Sequence, residues 1–356
     1  MSGPKSAAAP AGHVGPATTS ERDWRYYRHM PRTLTPTPTL TLTLILTLAV
    51  TPVASAQEPP PAPQAARYLF SYFTGNGEDG LHFAASADAL TWTALNGGRS
   101  FLEPKVGTKL MRDPCIVRGP AGTFHMVWTT GWWDQGIGYA HSRDLITWSE
   151  QQWIPVMKHE PTALNAWAPE LFYDEDTAQF LIFWASTIPG RFHATEEGGD
   201  LGGPGRDKRM NHRMYYVTTK DFTSFSPTRL LYDGGFNAID AIIIKAPEEY
   251  VMIVKDETKE PVAKKHLRVA RAKKSTGPYG PASPPITVDW VEGPTALKVG
   301  ESWIVYYDEY TRKRYGAIRS KDLRNWEVIS DQISFPEGTR HGTAFEVDAS
   351  VMQRLR

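Results

Sequence analysis

The sequence predicts an all-β protein, a five-bladed β-propeller whose ring is closed by a C-terminal strand joining the first blade. Two observations predict this fold. One short motif recurs: Ser or Thr, then any residue, then Asp, with an aromatic residue four positions after the Asp. Each copy follows a segment of alternating apolar residues. In addition, the chain contains 12 Trp, 29 Gly and 28 Pro, which indicates many short strands joined by turns.

The recurring motif defines the blades. Its copies begin at Ser86, Ser142, Thr219 and Ser320, with a degraded copy that lacks the Asp at Ser275. We expect each copy to be a turn between two strands, held by the Asp side chain bonding to local backbone amides. The intervals suit blades of four strands, and the longest contains a Gly-rich insertion at residues 188–213. A β-sandwich is the main alternative, but it would not explain a motif recurring at this interval.

A second repeat places a polar residue before an apolar strand in each unit. These residues are Asp113, Glu170, Asp240, Glu292 and His341. The first unit, from Tyr68, lacks such a strand, and the segment starting at His341 would supply it and close the ring. Because the innermost strands line the central channel, we expect all five residues to meet at one mouth of it. Like charges gathered there raise each other's pKa values and cost stability, which indicates a functional site.

Several short motifs around these residues resemble glycoside hydrolase family 43, the arabinofuranosidases, xylosidases and arabinanases on five-bladed propellers. They are Arg112-Asp113-Pro114, Trp167-Ala-Pro-Glu170, Asn237-Ala-Ile-Asp240, Val291-Glu292-Gly-Pro294 and Arg340-His341-Gly342. The resemblance spans residues 68–347. It implies an inverting glycosidase that cleaves arabinofuranosyl, xylosyl or related bonds of plant-type polysaccharides or oligosaccharides. The residues do not distinguish among these sugars.

The resemblance also implies a role for each carboxylate. Asp113 would be the general base, Glu292 the general acid, and Asp240 the carboxylate that raises the pKa of the acid and orients it. Glycoside hydrolysis needs such an acid and base on either side of the scissile bond. His341 would lie in the channel, where some family members hold a calcium ion through water. No other cofactor is implied.

Substrate contacts are expected from aromatic and polar residues near the mouth. The candidates are Trp132, Trp133, Trp167, Glu170, Phe192 and Arg340. Blade packing is an equally good interpretation of the tryptophans, above all of Trp184 within an apolar strand. The insertion at 188–213 favours a walled pocket and attack at chain ends. Cys115, close after the expected base, is interpreted as a small strand residue that points away from the sugar.

Three other functions are compatible with the same fold. A fructan-cleaving hydrolase would carry Asn-Asp-Pro-Asn-Gly near its start and a Glu-Cys pair at the acid, and the sequence has neither. A catalytically silent carbohydrate-binding propeller would not need the three carboxylates. A phosphate-dependent glycosidase would need a cluster of cations at the mouth, to which Arg112, Arg191 and Arg340 could contribute.

The first 66 residues differ in composition from the rest. From Met30, a short positive segment, an apolar run at residues 40–50 and the cleavage site Val53-Ala-Ser-Ala-Gln57 predict a secretory signal peptide. We assign residues 1–56 to this region, with Met30 as the expected start, 57–66 to a Pro-rich linker and 67–356 to the catalytic propeller. A disordered Thr- and Pro-rich tail is the alternative. The expected protein is secreted or periplasmic, without a membrane segment after cleavage.

Charge and cysteine content limit the partners. The sequence has 39 Lys+Arg and 39 Asp+Glu, and it shows no basic stripe of the kind that nucleic-acid binding requires. Its single cysteine, Cys115, excludes an intramolecular disulfide and a cysteine-based zinc site. We therefore expect a monomer whose partner is a carbohydrate substrate.

Overall fold

Residues 67–356 are described by the computed structural model, and their strands form five blades of a β-propeller. The predicted all-β fold is confirmed. The predicted signal peptide and linker lie outside the described residues. Within residues 67–356, no helix is both long and apolar enough to cross a membrane.

The strands follow one another blade by blade. The first blade begins with β1 (Tyr68–Phe73), β2 (His82–Ser86) and β3 (Thr93–Ala94). The second contains β4 (Arg112–Arg118), β5 (Phe124–Thr129), β6 (Ile137–Ser142) and β7 (Gln152–Ile154). The third opens with β8 (Trp167–Asp174) and β9 (Gln179–Thr187). The insertion follows, with α1 (His193–Glu196), β10 (Asp200–Leu201) and β11 (Arg209–Met210), before β12 (His212–Thr219) and β13 (Arg229–Tyr232) complete the blade.

The remaining strands form the last two blades and return to the first. The fourth contains β14 (Ala238–Lys245), β15 (Tyr250–Asp256) and β16 (His266–Ala272). The fifth contains β17 (Glu292–Val299), β18 (Ser302–Glu309), β19 (Arg314–Ser320) and β20 (Glu327–Val328). The chain ends with β21 (Arg340–Glu346) and α2 (Ala349–Leu355). Single 3-10 turns lie at Asn96–Gly98, Pro204–Arg206 and Ser330–Gln332.

The ring closes through the C-terminal strand, as predicted. β21 pairs antiparallel with β1 and becomes the innermost strand of the first blade. The innermost strands β4, β8, β14, β17 and β21 contact one another in a ring around the channel. Behind β21, α2 buries Val351, Met352 and Leu355 in the apolar cluster shared by the first two blades.

The motif turns have the expected chemistry. At Asp144, the carboxylate accepts hydrogen bonds from the amides of Ile146 and Thr147 at 2.9 and 2.7 Å. The Ser142 hydroxyl accepts from the Leu145 amide at 2.8 Å, and Leu145 adopts a left-handed φ of 64°. The turns at Asp88, Asp221 and Asp322 repeat these contacts. These bonds explain why a hydroxyl residue and an Asp recur at this spacing.

The expectation of four strands in every blade is wrong for the fourth, which has three. Its copy of the motif lacks the Asp that would hold the turn. The backbone–backbone hydrogen bonds from the following segment to β16 come at every third residue, from the amides of Gly280, Ser283 and Ile286. Prolines at positions 281, 284 and 285 cannot donate a hydrogen bond, so a continuous fourth strand cannot form.

Candidate active site

The innermost strands place their first residues in layers along the channel. The pairing register shifts near the start of β4, β8, β14 and β17, so each strand carries a bulge there, and β21 meets a similar irregularity in β1. Equivalent positions of the five innermost strands form layers across the channel. The outermost layer consists of Arg112, Trp167, Ile239, Glu292 and Arg340. The second layer consists of Asp113, Ala168, Asp240, Gly293 and His341. The third consists of Cys115, Glu170, Ile242, Thr295 and Thr343.

The residues of the outer two layers, except Gly293, line a cavity of about 390 Å³ at one mouth of the channel, which we call the carboxylate pocket. Its other lining residues include Thr129, Trp132, Lys255, Glu257 and Tyr310. Residues of the third layer line a separate cavity of about 470 Å³ that lies further along the strands. The structure therefore brings three of the predicted carboxylates and His341 together on one side of the channel.

His341 forms the floor of the carboxylate pocket. The residue is only 4 % exposed, and its ring packs against Gly293, where an added Cβ would lie 2.4 Å from the His341 Cγ. Gly293 has a left-handed φ of 58°, so both backbone conformation and close approach require glycine there. The residues that line this pocket and those that line the second cavity do not overlap.

Asp113 is held as an ionised carboxylate. Thr129 Oγ1 donates to its Oδ2 at 2.8 Å, and His341 Nδ1 lies 3.3 Å from its Oδ1. Burial alone would raise the pKa of Asp113, but the hydrogen bond and charge of His341, with the charge of Arg112, lower it to about 2. The backbone of Asp113 has a left-handed φ of 53°, which is uncommon for a residue with a side chain.

Asp240 occupies the equivalent position in the fourth blade. Its φ is 49°, and its Oδ2 accepts a hydrogen bond from the Gly293 amide at 3.1 Å. Burial raises the pKa of Asp240 to about 6, and the neighbouring charges of Glu292 and Asp113 act in the same direction against those of His341 and Lys255. Asp240 and Asp113 thus share a backbone conformation and differ in pKa.

Glu292 lies one layer nearer to the mouth, between two cations. Arg340 Nη2 donates to its Oε1 at 2.8 Å, and Lys255 Nζ donates to its Oε2 at 3.3 Å. Burial favours the neutral acid, but the charges of Lys255, Arg340 and His341 outweigh it and lower the pKa of Glu292. This differs from the expectation that Asp240 would raise the pKa of Glu292. In the free protein the two cations hold it ionised instead.

Two of the predicted aromatic residues lie at the pocket. Trp132 is 43 % exposed, its ring meets that of Trp167 edge-on at 5.5 Å, and the Trp167 indole donates to the Trp132 carbonyl at 2.7 Å. The Arg112 guanidinium lies between the rings of Trp132 and Phe73, at 4.4 and 4.7 Å from their centroids. This arrangement leaves an aromatic wall beside the carboxylates.

Other candidate residues lie elsewhere. Trp133 contacts Trp167 but is not part of the pocket lining, and Trp184 is fully buried in blade packing. Phe192 does not line the pocket either, because its ring packs on the Arg213 guanidinium at 4.2 Å. Arg340 does line the pocket, where it bridges Glu292 and Asp308.

Glu170 lies in the third layer and not at the mouth. Its Oε1 is 3.9 Å from His341 Nε2, it lines the other cavity, and burial raises its pKa to about 8. The position equivalent to Asp113 in the third blade is Ala168, whose φ is 46°. Pro114 and Pro169 occupy the same register, so aligning these prolines would have placed Ala168 beside Asp113. Cys115 is also in the third layer, beyond the pocket floor.

Sequence reasoning missed several wall residues. Lys255, Glu257 and Tyr310 line the pocket, and within the strand Tyr250–Asp256 Lys255 follows an apolar run at residues 250–254. A lysine in a buried strand is rare unless it is paired. That pattern is visible in the sequence, although its partners are not.

A direct metal site is not formed by the described side chains. Within residues 67–356, no three or more His, Cys, Asp or Glu residues are grouped so that they could hold a metal ion. Burial lowers the pKa of His341, but its hydrogen bond to Asp113 and the charges of Asp113, Asp240 and Glu170 raise it to about 9. A calcium ion held through water therefore stays a prediction from the resemblance.

Comparison with known proteins matches residues 64–352 to a family described as "Probable glycosyl hydrolase domain" and related to glycoside hydrolase family 43. Over 222 residues, the chain is 23 % identical to an α-L-arabinofuranosidase of Bifidobacterium longum. This match covers 55 % of the chain and 20 % of that protein. The chain thus spans about a fifth of this relative's length.

Solved structures with a similar arrangement include two carbohydrate-active enzymes. One is an α-L-arabinofuranosidase from Lactobacillus brevis, at 16 % identity and a TM-score of 0.45, with 62 % of this chain and 72 % of that chain covered. The other is an exo-β-1,3-galactanase from Clostridium thermocellum, at 14 % identity and a TM-score of 0.47, with 66 % and 51 % covered.

Proposed function

The chain belongs to the glycosyl hydrolase domains related to glycoside hydrolase family 43, and from that membership we propose that it hydrolyses glycosidic bonds. The bonds we propose are arabinofuranosyl, xylosyl or related linkages of plant-type polysaccharides and oligosaccharides, cleaved at chain ends with inversion. The similarity to an α-L-arabinofuranosidase favours the first of these sugars.

One observation carries the proposal: the three predicted carboxylates line one pocket together with Glu257, and the backbone is strained to place two of them. Asp113 and Asp240 both have a left-handed φ at a bulge. Such conformations cost free energy and cluster at functional sites, where the strain serves the placement of a side chain. Bulges likewise re-aim side chains next to active sites.

The different depths of the carboxylates in the pocket suit different catalytic roles. Asp113, at the floor and ionised, would act as the general base that activates a water molecule. Glu292, one layer nearer to the mouth, would protonate the oxygen of the leaving group, which departs toward solvent. Asp240 would carry a negative charge that raises the pKa of Glu292 only above its own pKa of about 6.

The cations beside Glu292 have a consequence for pH. Because Lys255 and Arg340 lower the pKa of Glu292, its acid form is populated only at acidic pH in the free protein. We therefore expect kcat/KM to fall as the pH rises toward neutrality, since this ratio reports the ionisation of the free enzyme.

The packing of His341 on Gly293 supports attack at chain ends. These two residues lie in contact at the second layer, and a pocket of about 390 Å³ is within the ordinary range for small ligands. A sugar at the end of a chain could enter with its linkage toward the mouth, whereas an internal sugar would need an open groove.

The direct test is turnover of a panel of nitrophenyl glycosides by the purified protein, with Asp113→Asn as the matched inactive variant. We expect hydrolysis of an arabinofuranoside or xyloside that the variant lacks. Sugar binding without turnover of any glycoside, nitrophenyl or natural, would instead support a carbohydrate-binding propeller.

A further inference from the structure

Seven side chains of alternating charge form a continuous series through the carboxylate pocket. In order, they are Asp308, Arg340, Glu292, Lys255, Glu257, Lys265 and Asp200. Beyond Glu292, Lys255 Nζ lies 2.5 Å from Glu257 Oε2, and Lys265 pairs with Glu257 and lies 2.8 Å from Asp200 Oδ2. The series thus runs from the fifth blade to the insertion at 188–213.

The centre of this series is buried. The side chains of Lys255 and Lys265 are 2 % and 3 % exposed, whereas those of Glu257 and Glu292 are 17 % and 22 % exposed. A buried ammonium group is costly unless carboxylates surround it. Lys255 therefore cannot swing freely, and its position between Glu257 and Glu292 depends on both.

The insertion joins the series through a single carboxylate. Asp200 lies in β10, which pairs only with β11 in a small separate sheet. Its ion pairs with Lys265 and Lys259, at 2.8 and 2.9 Å, tie this sheet to the segment between β15 and β16. A change in the insertion can therefore reach Lys255 through Lys265 and Glu257.

Several other ionisable groups also surround Glu292. Besides Lys255 and Arg340, they are His341, Asp113, Asp240, Asp308, Tyr310 and Tyr315. Arg340 is shared with Asp308 at 2.7 Å. Lys255 is consequently the one cation contacting Glu292 whose other partner, Glu257, leads toward the insertion.

We propose that Lys255 and Glu257 are positioning residues for the acid Glu292, and that the insertion at 188–213 acts on Glu292 through Lys265 and Asp200. This inference rests on the proposed function. Lys255 holds Glu292 in its ionised state and fixed in orientation. Glu257 restrains Lys255 and moderates that effect.

The two positioning residues should shift the pH dependence in opposite directions. Lys255→Met removes a cation from Glu292, so the alkaline limb of kcat/KM should move up by about one pH unit. Glu257→Gln removes the negative charge that competes with Glu292 for Lys255. The alkaline limb of kcat/KM should therefore move down by about half a pH unit. A general loss of stability would not produce opposite signs.

The insertion is tested with a matched pair of variants. Asp200→Asn removes one partner of Lys265, so Lys265 should hold Glu257 more closely and Glu257 should hold Lys255 less. Lys255 can then act more strongly on Glu292. The alkaline limb of kcat/KM should therefore move down, by less than in Glu257→Gln. Glu197→Gln changes a carboxylate of the same insertion that is 91 % exposed and outside the series, and it should leave the limb in place. These two variants carry the test if Lys255→Met does not fold.

The measurement is kcat/KM across pH for the full chain and the four variants, on the best nitrophenyl glycoside. Opposite shifts for Lys255→Met and Glu257→Gln establish the roles of these two residues, and a downward shift for Asp200→Asn with none for Glu197→Gln establishes the role of the insertion. Shifts of the same sign for Lys255→Met and Glu257→Gln, or no shift for Glu257→Gln and Asp200→Asn, in an active protein overturn the inference while the proposed function stands. A wild-type chain without glycosidase activity overturns both.

Discussion

Gly293→Ala is a sharp test of the pocket floor. At this position a Cβ would lie 2.4 Å from the His341 Cγ and 2.7 Å from its Cβ, and the φ of 58° is left-handed. His341 is buried and lies 3.3 Å from Asp113, so it has little room to move without disturbing the expected base. The substitution therefore combines backbone strain with a displaced histidine.

The two costs can be separated with Gly300→Ala. Gly300 follows the same strand and has the same φ of 58°, but an added Cβ there meets nothing within 4 Å. The left-handed backbone costs about 1–2 kcal/mol in both variants, and overpacking against His341 adds about 1–3 kcal/mol in Gly293→Ala alone. We therefore expect losses in the free energy of unfolding of about 2–5 and about 1–2 kcal/mol.

Urea unfolding followed by tryptophan fluorescence measures these losses, and turnover measures the effect on Asp113. A misplaced catalytic group can cost about 10²-fold, so Gly293→Ala should lose activity on this scale and Gly300→Ala should not. Equal losses of stability and equal activities in the two variants would refute the packing of His341 on Gly293 as the floor of the pocket.

Three further predictions concern the ring, the histidine and the product. Truncation before His341 removes Val347, Val351, Met352 and Leu355 from the core at about 1.5–3 kcal/mol each, so no soluble folded protein should form; an unchanged melting temperature would contradict the closure. The pKa of His341 is raised to about 9 from an ordinary 6.5. Protonation of His341 therefore contributes stability that is complete below about pH 6.5 and is lost as the pH rises through about 9. His341→Gln should remove this pH dependence from the urea midpoint of unfolding. NMR of the first product should show the opposite anomer, because the proposed base Asp113 activates a water molecule and does not attack the sugar itself, and a retained anomer would argue for a covalent intermediate.

The sequence was sufficient for the features that depend on local chemistry. Asp144 and its equivalents bond to amides within three residues, so the turn can be identified from the motif alone. The missing first strand and the unmatched segment at His341 likewise predicted how the ring closes. Alternation and turn residues suffice for such elements.

The features that were missed depend on register and on distant contacts. The bulge in β8 places Ala168, and not Glu170, beside Asp113, and a shift of this kind depends on pairing with the neighbouring strand. The contact between Lys255 and Glu292 joins residues on different blades. It lowers the pKa of Glu292, which the sequence alone would have left raised.

The roles of Glu292 and Asp113 are tested most directly by two variants on two kinds of substrate. kcat/KM of Glu292→Gln and Asp113→Asn is measured on a natural glycoside and on an activated aryl glycoside, whose phenolate departs without a proton. Glu292→Gln should lose about 10²–10⁴-fold on the natural glycoside and much less on the activated one, whereas Asp113→Asn should lose similarly on both. Equal impairment of Glu292→Gln on the two substrates would contradict its assignment as the acid.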